Sequence, residues 1–224
     1  MPNKGLEYEK KIRELLMARE LLPAHLLGKL IKTGNDAAFV HKGKGYFLEI
    51  KNETAPDYGA KKIIYKPDTG KWAWNEIDEM SDLFDEIGVL NKIPSFVPRK
   101  HVKPDLQLTA EDKKFDLKNF THIIQLGIVG ANLLHEYYAK KRCFYIQVEG
   151  KGFYHLLEDR AELGVPKFNP VVNLRLRAKT HSSTPIHNYS FRVIILGLRQ
   201  TILASPFDLE KGTKFPPIDK DLAV

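Results

Sequence analysis

The sequence predicts an α/β fold in which a central mixed β-sheet is flanked by helices and followed by a basic C-terminal β-ribbon and loop region. Three observations lead to this prediction. Short apolar runs on either side of a glycine-rich turn indicate a hairpin between residues 37 and 50. Apolar residues at helical spacing indicate flanking helices, and cations that alternate with apolar residues near residue 175 indicate the ribbon. The 224 residues, 43% of them hydrophobic, are enough for one compact domain over 1–224.

The composition favours an anionic partner inside the cell. The net charge is +7, and nucleic acid is the partner that fits this charge best. No apolar run approaches membrane-spanning length, and a charged segment follows the N-terminus in place of a signal-peptide core. We therefore expect a cytoplasmic protein. Cys143 is the only cysteine, which excludes an internal disulfide and a cysteine-based zinc site and predicts a small buried side chain.

The first predicted element is an amphipathic helix over residues 6–22, which Pro23 ends. Glutamate, lysine and arginine occupy the polar positions between its apolar residues. The apolar side is formed by Tyr8, Ile12, Leu15, Leu16 and Leu22.

Residues 33–52 carry the pattern around which the chain is organised. Two short apolar and aromatic runs, 37–40 and 46–50, flank the turn sequence Lys-Gly-Lys-Gly, so two antiparallel strands are predicted. Because side chains alternate along a strand, Glu49 and Lys51 share one face. Asp36 opens the first strand beside them.

These residue types suit phosphodiester hydrolysis. Two carboxylates supply hard oxygen ligands for Mg²⁺, which leaves its other positions to water and substrate phosphate. The ammonium of Lys51 can hold or deprotonate a water, or offset charge that develops at phosphorus. The alternative is a solvated hairpin, because Glu-x-Lys pairs are common on exposed strands of a chain with 28% charged residues.

Asp36, Glu49 and Lys51 resemble the PD-(D/E)XK nuclease superfamily, whose pattern is an acidic residue at the start of one strand and Glu-x-Lys on the next. Asn35 stands where that family usually has Pro. The resemblance implies a restriction-endonuclease-like fold, with Mg²⁺ held by Asp36 and Glu49 and no organic cofactor. It also implies Mg²⁺-dependent, sequence-specific cleavage of double-stranded DNA, as by a prokaryotic type II restriction enzyme. A homodimer is expected because palindromic sites are cut by twofold symmetric enzymes.

The predicted first helix supplies a further acidic candidate. Its opening, Gly5-x-x-Tyr8-Glu9-x-x-Ile12, resembles the first motif of many restriction endonucleases, in which a helical glutamate reaches toward the metal site. The resemblance makes Glu9 the catalytic candidate on this helix. Glu7 and Glu14 are rivals, and an ordinary solvated helix charge is the alternative for each of them.

The segment after the hairpin is predicted to be a loop with clustered lysines, including Lys61 and Lys62, near the site and able to touch phosphates. The resemblance extends through an Asp-aromatic-Gly segment and a Gly-x-Trp, so that it spans residues 5–74, about a third of the chain. Trp72 and Trp74 are expected to be packing residues.

The middle of the chain is predicted to contain two helices, a basic loop and two strands. The helices cover 75–90 and 120–141, and Gly127 and Gly130 suggest close packing of the second one against the sheet. Between them, the proline-rich stretch 91–104 reads as a basic loop. The DNA-binding candidates in this loop are Arg99 and Lys100. The strands cover 144–148 and 153–157.

Residues 165–207 contain six lysines and arginines and no acidic residue. Arg175, Arg177 and Lys179 alternate with apolar residues and so lie on one strand face, and Arg192 lies on a second predicted strand, 189–196. The loop between them contains His181 and His187, which are expected to make polar contacts. The functional interpretation is a ribbon that contacts DNA bases and phosphates, with His181 among its contacts, and the alternative is a basic solvated hairpin face.

Together these features predict a single nuclease domain. Its catalytic core covers about 1–75 plus later strands, and its DNA-recognition region covers about 165–207. A DNA repair or junction-resolving nuclease of the same superfamily and a non-catalytic DNA-binding protein are the alternatives.

Overall fold

The computed structural model describes residues 4–23, 25–26, 34–53, 57–127, 129–180 and 186–219. Contacts divide the chain into two compact units. The first unit consists of Met1–Pro56, His135–Val171 and Leu198–Val224, and the second consists of Asp57–Leu134 and Val172–Gly197. In the part of the chain that is described, no helix is long and apolar enough to cross a membrane.

Groups of helices and groups of strands follow one another along the described part of the chain. The helices are α1 (Lys4–Ala18), α2 (Glu79–Glu86), α3 (Arg99–Val102), α4 (Ala110–Phe120) and α5 (Val129–Lys140). The strands are β1 (Ala37–His41), β2 (Lys44–Lys51), β3 (Asp57–Lys66), β4 (Lys71–Trp74), β5 (His122–Gln125), β6 (Cys143–Val148), β7 (Gly152–His155), β8 (Val172–Thr180) and β9 (Tyr189–Gly197). The predicted α/β fold class is confirmed, with two sheets in place of one central sheet.

The first unit contains a four-stranded mixed sheet in the order β1-β2-β6-β7. β2 pairs antiparallel with β1 and parallel with β6. The predicted hairpin is confirmed, and Lys42 and Gly43 at its turn have φ values of 45° and 72°. Two successive residues with positive φ give a turn whose twist matches that of the flanking strands.

Helix α1 packs its apolar side into the core of the first unit. Tyr8, Ile12 and Leu16 are buried there in one cluster with Phe39 and Leu48. The helix ends at Ala18, four residues before the predicted end, and the backbone of Glu20 has a left-handed φ of 60°. This conformation ends the right-handed helix before Pro23 is reached.

The second unit contains a five-stranded antiparallel sheet in the order β4-β3-β9-β8-β5. The predicted ribbon forms as β8 and β9, but these strands lie in the middle of the sheet. The prediction of a lysine-rich loop around Lys61 and Lys62 was wrong, because this segment is β3. Ile63 and Tyr65 alternate with the exposed Lys62 and Lys66, and together with the buried Lys61 they form the covered side of the strand.

One face of the five-stranded sheet packs against α2, α3 and α4. Trp72, Phe120 and Phe191 form an aromatic cluster with ring centroids 4.8–5.2 Å apart, and the ring of Trp74 packs against that of Phe84 at 5.5 Å with a tilt of 34°. The expected packing role of both tryptophans is therefore confirmed. The helix predicted over 75–90 is shorter, since Asp78 caps the start of α2.

The single helix predicted over 120–141 was wrong. Helix α4 ends at Phe120, β5 pairs with β8 at the sheet edge, and α5 begins only after Gly127, which has a φ of 57°. The close approach predicted for Gly130 is confirmed, because a Cβ there would lie 2.3 Å from the carbonyl oxygen of Val172. The basic loop at 91–104 contains the single-turn helix α3.

Candidate active site

The β1-β2 hairpin brings Asp36, Glu49 and Lys51 together. Asp36 lies immediately before β1, and its Oδ2 accepts a hydrogen bond of 2.8 Å from the backbone N–H of Ile50. Ile50 lies between Glu49 and Lys51 in β2, so this bond fixes the first carboxylate beside the Glu-x-Lys strand. The ammonium nitrogen of Lys51 lies 2.5 Å from Oε1 of Glu49.

Glu49 is held as a buried carboxylate between two ammonium groups. Its residue surface is 4% exposed, and its Oε2 lies 3.4 Å from the Nζ of Lys141. Burial alone would raise the pKa of Glu49, but Lys51, Lys141 and a hydrogen bond from Tyr138 outweigh it and hold the pKa below the ordinary glutamate value. Glu49 is therefore ionised at neutral pH.

The pKa of Asp36 is shifted in the opposite direction from that of Glu49. Burial and the negative charge of Glu49 raise the pKa of Asp36 to about 6, although Lys51 and the Ile50 amide act against the rise. Glu9 adds a smaller repulsion. Two neighbouring carboxylates whose environments push their pKa values apart are a feature of catalytic sites as well as of structural ion-pair networks.

Lys141 is a residue of the site that no local sequence pattern indicates. This residue directly follows α5, and a lysine at the end of a helix is expected to be a solvated charge. Burial would lower its pKa, but the charge of Glu49 raises it, so its ammonium stays protonated. Asn35, which occupies the usual Pro position, donates from Nδ2 to the Lys141 carbonyl oxygen at 3.4 Å. The parallel pairing of β2 with β6 brings Lys141 to the site, and no local sequence signal reveals that pairing.

The acidic side chains of α1 differ in their partners. Glu9 forms an ion pair with Arg13, one turn along the helix, with 3.0 Å between its Oε2 and the guanidinium. The Oε1 of Glu14 lies 3.7 Å from the Nζ of Lys10. Glu7 lines a cavity of about 310 Å³ together with Asn52, which follows Lys51. Of these three glutamates, Glu9 is the one whose negative charge raises the pKa of Asp36.

The donor set fits Mg²⁺ better than zinc. Within the described ranges, no group of three or more His, Cys, Asp or Glu side chains is arranged to hold a metal. The site offers the two carboxylates of Asp36 and Glu49. Mg²⁺ is commonly bound through one or two carboxylates, with water and phosphate oxygens completing its coordination, whereas structural zinc requires four nitrogen or sulfur ligands.

The DNA-binding candidates are distributed over the second unit, and five of them share one face of its sheet. These five are Lys62, Arg175, Arg177, Lys179 and Arg192. Lys61 points to the other face, where it is buried and paired with Asp78 at 2.5 Å. Arg99 lies over the ring of Phe115, and the ammonium of Lys100 donates to the carbonyl oxygens of His187 and Tyr189. His181 lies outside the described residues.

Comparison with known proteins assigns no family. No protein-family model and no curated protein sequence matches the chain. Among solved structures, the chain is similar to an HhaI endonuclease in complex with DNA, with a TM-score of 0.37 and 14% sequence identity. The similarity covers 73% of this chain and 74% of that chain. At this identity and TM-score, it transfers no activity to this protein.

Proposed function

We propose that this protein is a Mg²⁺-dependent, sequence-specific endonuclease that hydrolyses phosphodiester bonds in double-stranded DNA, as a type II restriction enzyme does. The observation that carries the proposal is the contact between the two halves of the hairpin. Asp36 is bonded to the residue between Glu49 and Lys51, and Lys51 is paired with Glu49. The net charge of +7 suits a polyanionic substrate.

Each residue has a distinct role in this proposal. Asp36 and Glu49 would hold Mg²⁺, and the ion would supply Lewis-acid chemistry. Lys51 holds the attacking water and offsets negative charge that develops on the phosphate. Glu9 assists from α1 by orienting a ligand or water near Asp36. Lys141 keeps Glu49 ionised in its buried position.

The proposal includes a homodimer, because a twofold symmetric enzyme matches a palindromic site. Sedimentation equilibrium of the purified protein with and without duplex DNA measures this state. A protein that stays monomeric in both conditions would contradict the dimer without affecting the catalytic assignment.

Digestion of supercoiled plasmid with Mg²⁺ or with EDTA tests the activity. We expect discrete fragments with fixed ends in Mg²⁺ and none in EDTA. Lys51→Ala should abolish cleavage and retain DNA binding, since members of a catalytic unit fail together. Lys44→Ala is the matched control, because Lys44 is an exposed lysine on the same strand.

The alternatives give different results in the same experiment. Nicking confined to cruciform or damaged DNA would replace sequence-specific cleavage with a junction-resolving or repair activity. DNA binding without any cleavage in Mg²⁺ would contradict the catalytic proposal and leave a DNA-binding protein. Wild-type turnover by Lys51→Ala would remove Lys51 from the mechanism.

A further inference from the structure

The face of the five-stranded sheet opposite α2, α3 and α4 is strongly basic. Side-chain alternation and strand register place seven cations on this surface, which we call the basic face. They are Lys62, Lys66, Lys71, Arg175, Arg177, Lys179 and Arg192. Lys62, Lys66, Lys71, Arg177 and Lys179 are exposed to solvent, while Arg175 and Arg192 are partly buried. The aromatic core residues of the same strands point the other way.

Like charges lie directly opposite each other on the basic face. Lys62 pairs with Arg192, and Arg192 pairs with Arg177, so three cations form one row across three adjacent strands. Lys66 lies opposite Lys71 in the same way. Such pairs destabilise a sheet. A surface that keeps them is suited to a polyanion that would compensate the charge on binding.

The chain itself supplies little compensation. Asp57 is the only acidic residue in the five strands. It binds the Arg175 guanidinium at 2.5 and 2.6 Å and lies 3.9 Å from Arg177. Across the described ranges, no carboxylate lies within ion-pair distance of Lys62, Lys179 or Arg192. Asp57 therefore fixes Arg175 in place and leaves most of the other charges available.

The spacing of these cations suits an extended anion. Adjacent strands lie about 4.8 Å apart, and alternate residues in a strand lie about 6.8 Å apart, so the charges form a lattice over several strands and not a closed pocket. Duplex DNA carries one negative charge per about 1.7 Å of helix axis, and guanidinium groups bind phosphates in a bidentate manner. A phosphodiester backbone can therefore meet several of these cations at once.

We infer that the basic face binds the phosphodiester backbone of duplex DNA, with Lys62, Arg192 and Arg177 as its central contacts. This inference rests on the proposed function, because it names the surface that holds the substrate. It includes Lys66 and Lys71, a second pair of opposed cations, which extends the basic face to β4 at the edge of the sheet.

Equilibrium binding tests the inference independently of catalysis. Fluorescence anisotropy of a labelled duplex in EDTA, over a series of KCl concentrations, measures affinity without cleavage. Lys62→Gln, Arg177→Gln and Arg192→Gln should each weaken binding severalfold and reduce the slope of log K against log salt by about one unit. Asp57→Asn should strengthen binding, since it removes the one acidic side chain of the five strands and releases Arg175 from its ion pair.

Lys114→Gln provides the matched control. Lys114 is exposed on α4, on the opposite side of the sheet, and its substitution removes the same charge. It should leave affinity and slope nearly unchanged. Lys71→Gln, at the exposed start of β4, is a further variant of the face and should also weaken binding. Thermal unfolding by circular dichroism verifies that each variant is folded.

Three outcomes would overturn the inference. The first is wild-type affinity and salt slope in all the glutamine variants. The second is an effect of Lys114→Gln equal to theirs, which would indicate a response to net charge alone. The third is face-dependent binding of heparin or acidic protein with no binding of duplex DNA. If the face variants lose DNA binding while wild-type protein shows no cleavage, the proposed function fails and the inference stands.

Discussion

Removal of the Lys141 ammonium is predicted to destabilise the first unit through Glu49. In Lys141→Met, the aliphatic stem is retained and one of the two cations that hold the buried carboxylate is lost. Breaking a buried ion pair by removing one partner costs about 3–5 kcal/mol, and a hydrogen bond to a charged group contributes about 1.5–3 kcal/mol. Lys141 lies 3.4 Å from Glu49 and Lys51 lies 2.5 Å from it. Because the closer partner remains, we expect a loss of about 2 kcal/mol in the free energy of unfolding.

Urea unfolding followed by far-UV circular dichroism measures this loss. Lys140→Met is the matched control, because Lys140 is the exposed neighbour of Lys141, and it should change stability by less than about 0.5 kcal/mol. Lys141→Arg should recover part of the loss. In a Glu49→Gln background, Lys141→Met should cost much less, since the two residues are coupled. Equal stability of Lys141→Met and Lys140→Met would refute the assignment of Lys141 to Glu49.

Two further predictions concern the second unit, where both tryptophans lie in β4 and report unfolding by fluorescence. Gly130→Ala should lower the free energy of unfolding by about 1–3 kcal/mol, because the added Cβ would lie 2.3 Å from the carbonyl oxygen of Val172. Asn132→Ala on the same helix is the control. Equal losses of stability in the two variants would contradict the close packing at Gly130. The pKa of His101 is lowered to about 4 by burial and by Lys100, and its Nδ1 accepts a hydrogen bond from the Tyr65 N–H at 3.0 Å. The unfolded chain, with a histidine pKa near 6.5, therefore binds more protons between pH 6.5 and 4, so stability falls as pH is lowered through this window. Relative to His101→Asn, the wild type should lose about 1 kcal/mol between pH 7 and 5 after allowance for partial exposure, and parallel pH profiles would contradict this role of His101.

The sequence predicts those features that depend on short stretches of chain. The β1-β2 hairpin follows from its turn and its alternation, and with it the grouping of Asp36, Glu49 and Lys51. The contact of Lys141 with Glu49 joins residues 92 positions apart. It depends on a parallel strand pairing that no local pattern encodes.

The misassigned elements have local physical causes. Around Lys61, the high density of lysine masks the alternation of Ile63 and Tyr65, so the local pattern predicts a loop where the structure has a strand. Once the segment is recognised as β3, alternation places Lys61 and Lys62 on opposite faces, as observed. Near Ile123, an apolar stretch between two helical patterns predicts one continuous helix, although the stretch forms β5 at the sheet edge. Short apolar runs are compatible with either structure.

The parallel pairing of β2 with β6 has a consequence for synthesis on the ribosome. After the β1-β2 hairpin has been made, residues 52–142 must be translated before β6 can pair with the free edge of β2. At about 5–20 residues per second, this interval lasts roughly 5 to 20 s. During that time β2 has an unpaired edge, and Leu48 and Ile50, which are fully covered in the final fold, lack part of their packing. Unpaired strand edges with apolar side chains promote aggregation, so the nascent chain at this stage is the state most suited to protection by a chaperone.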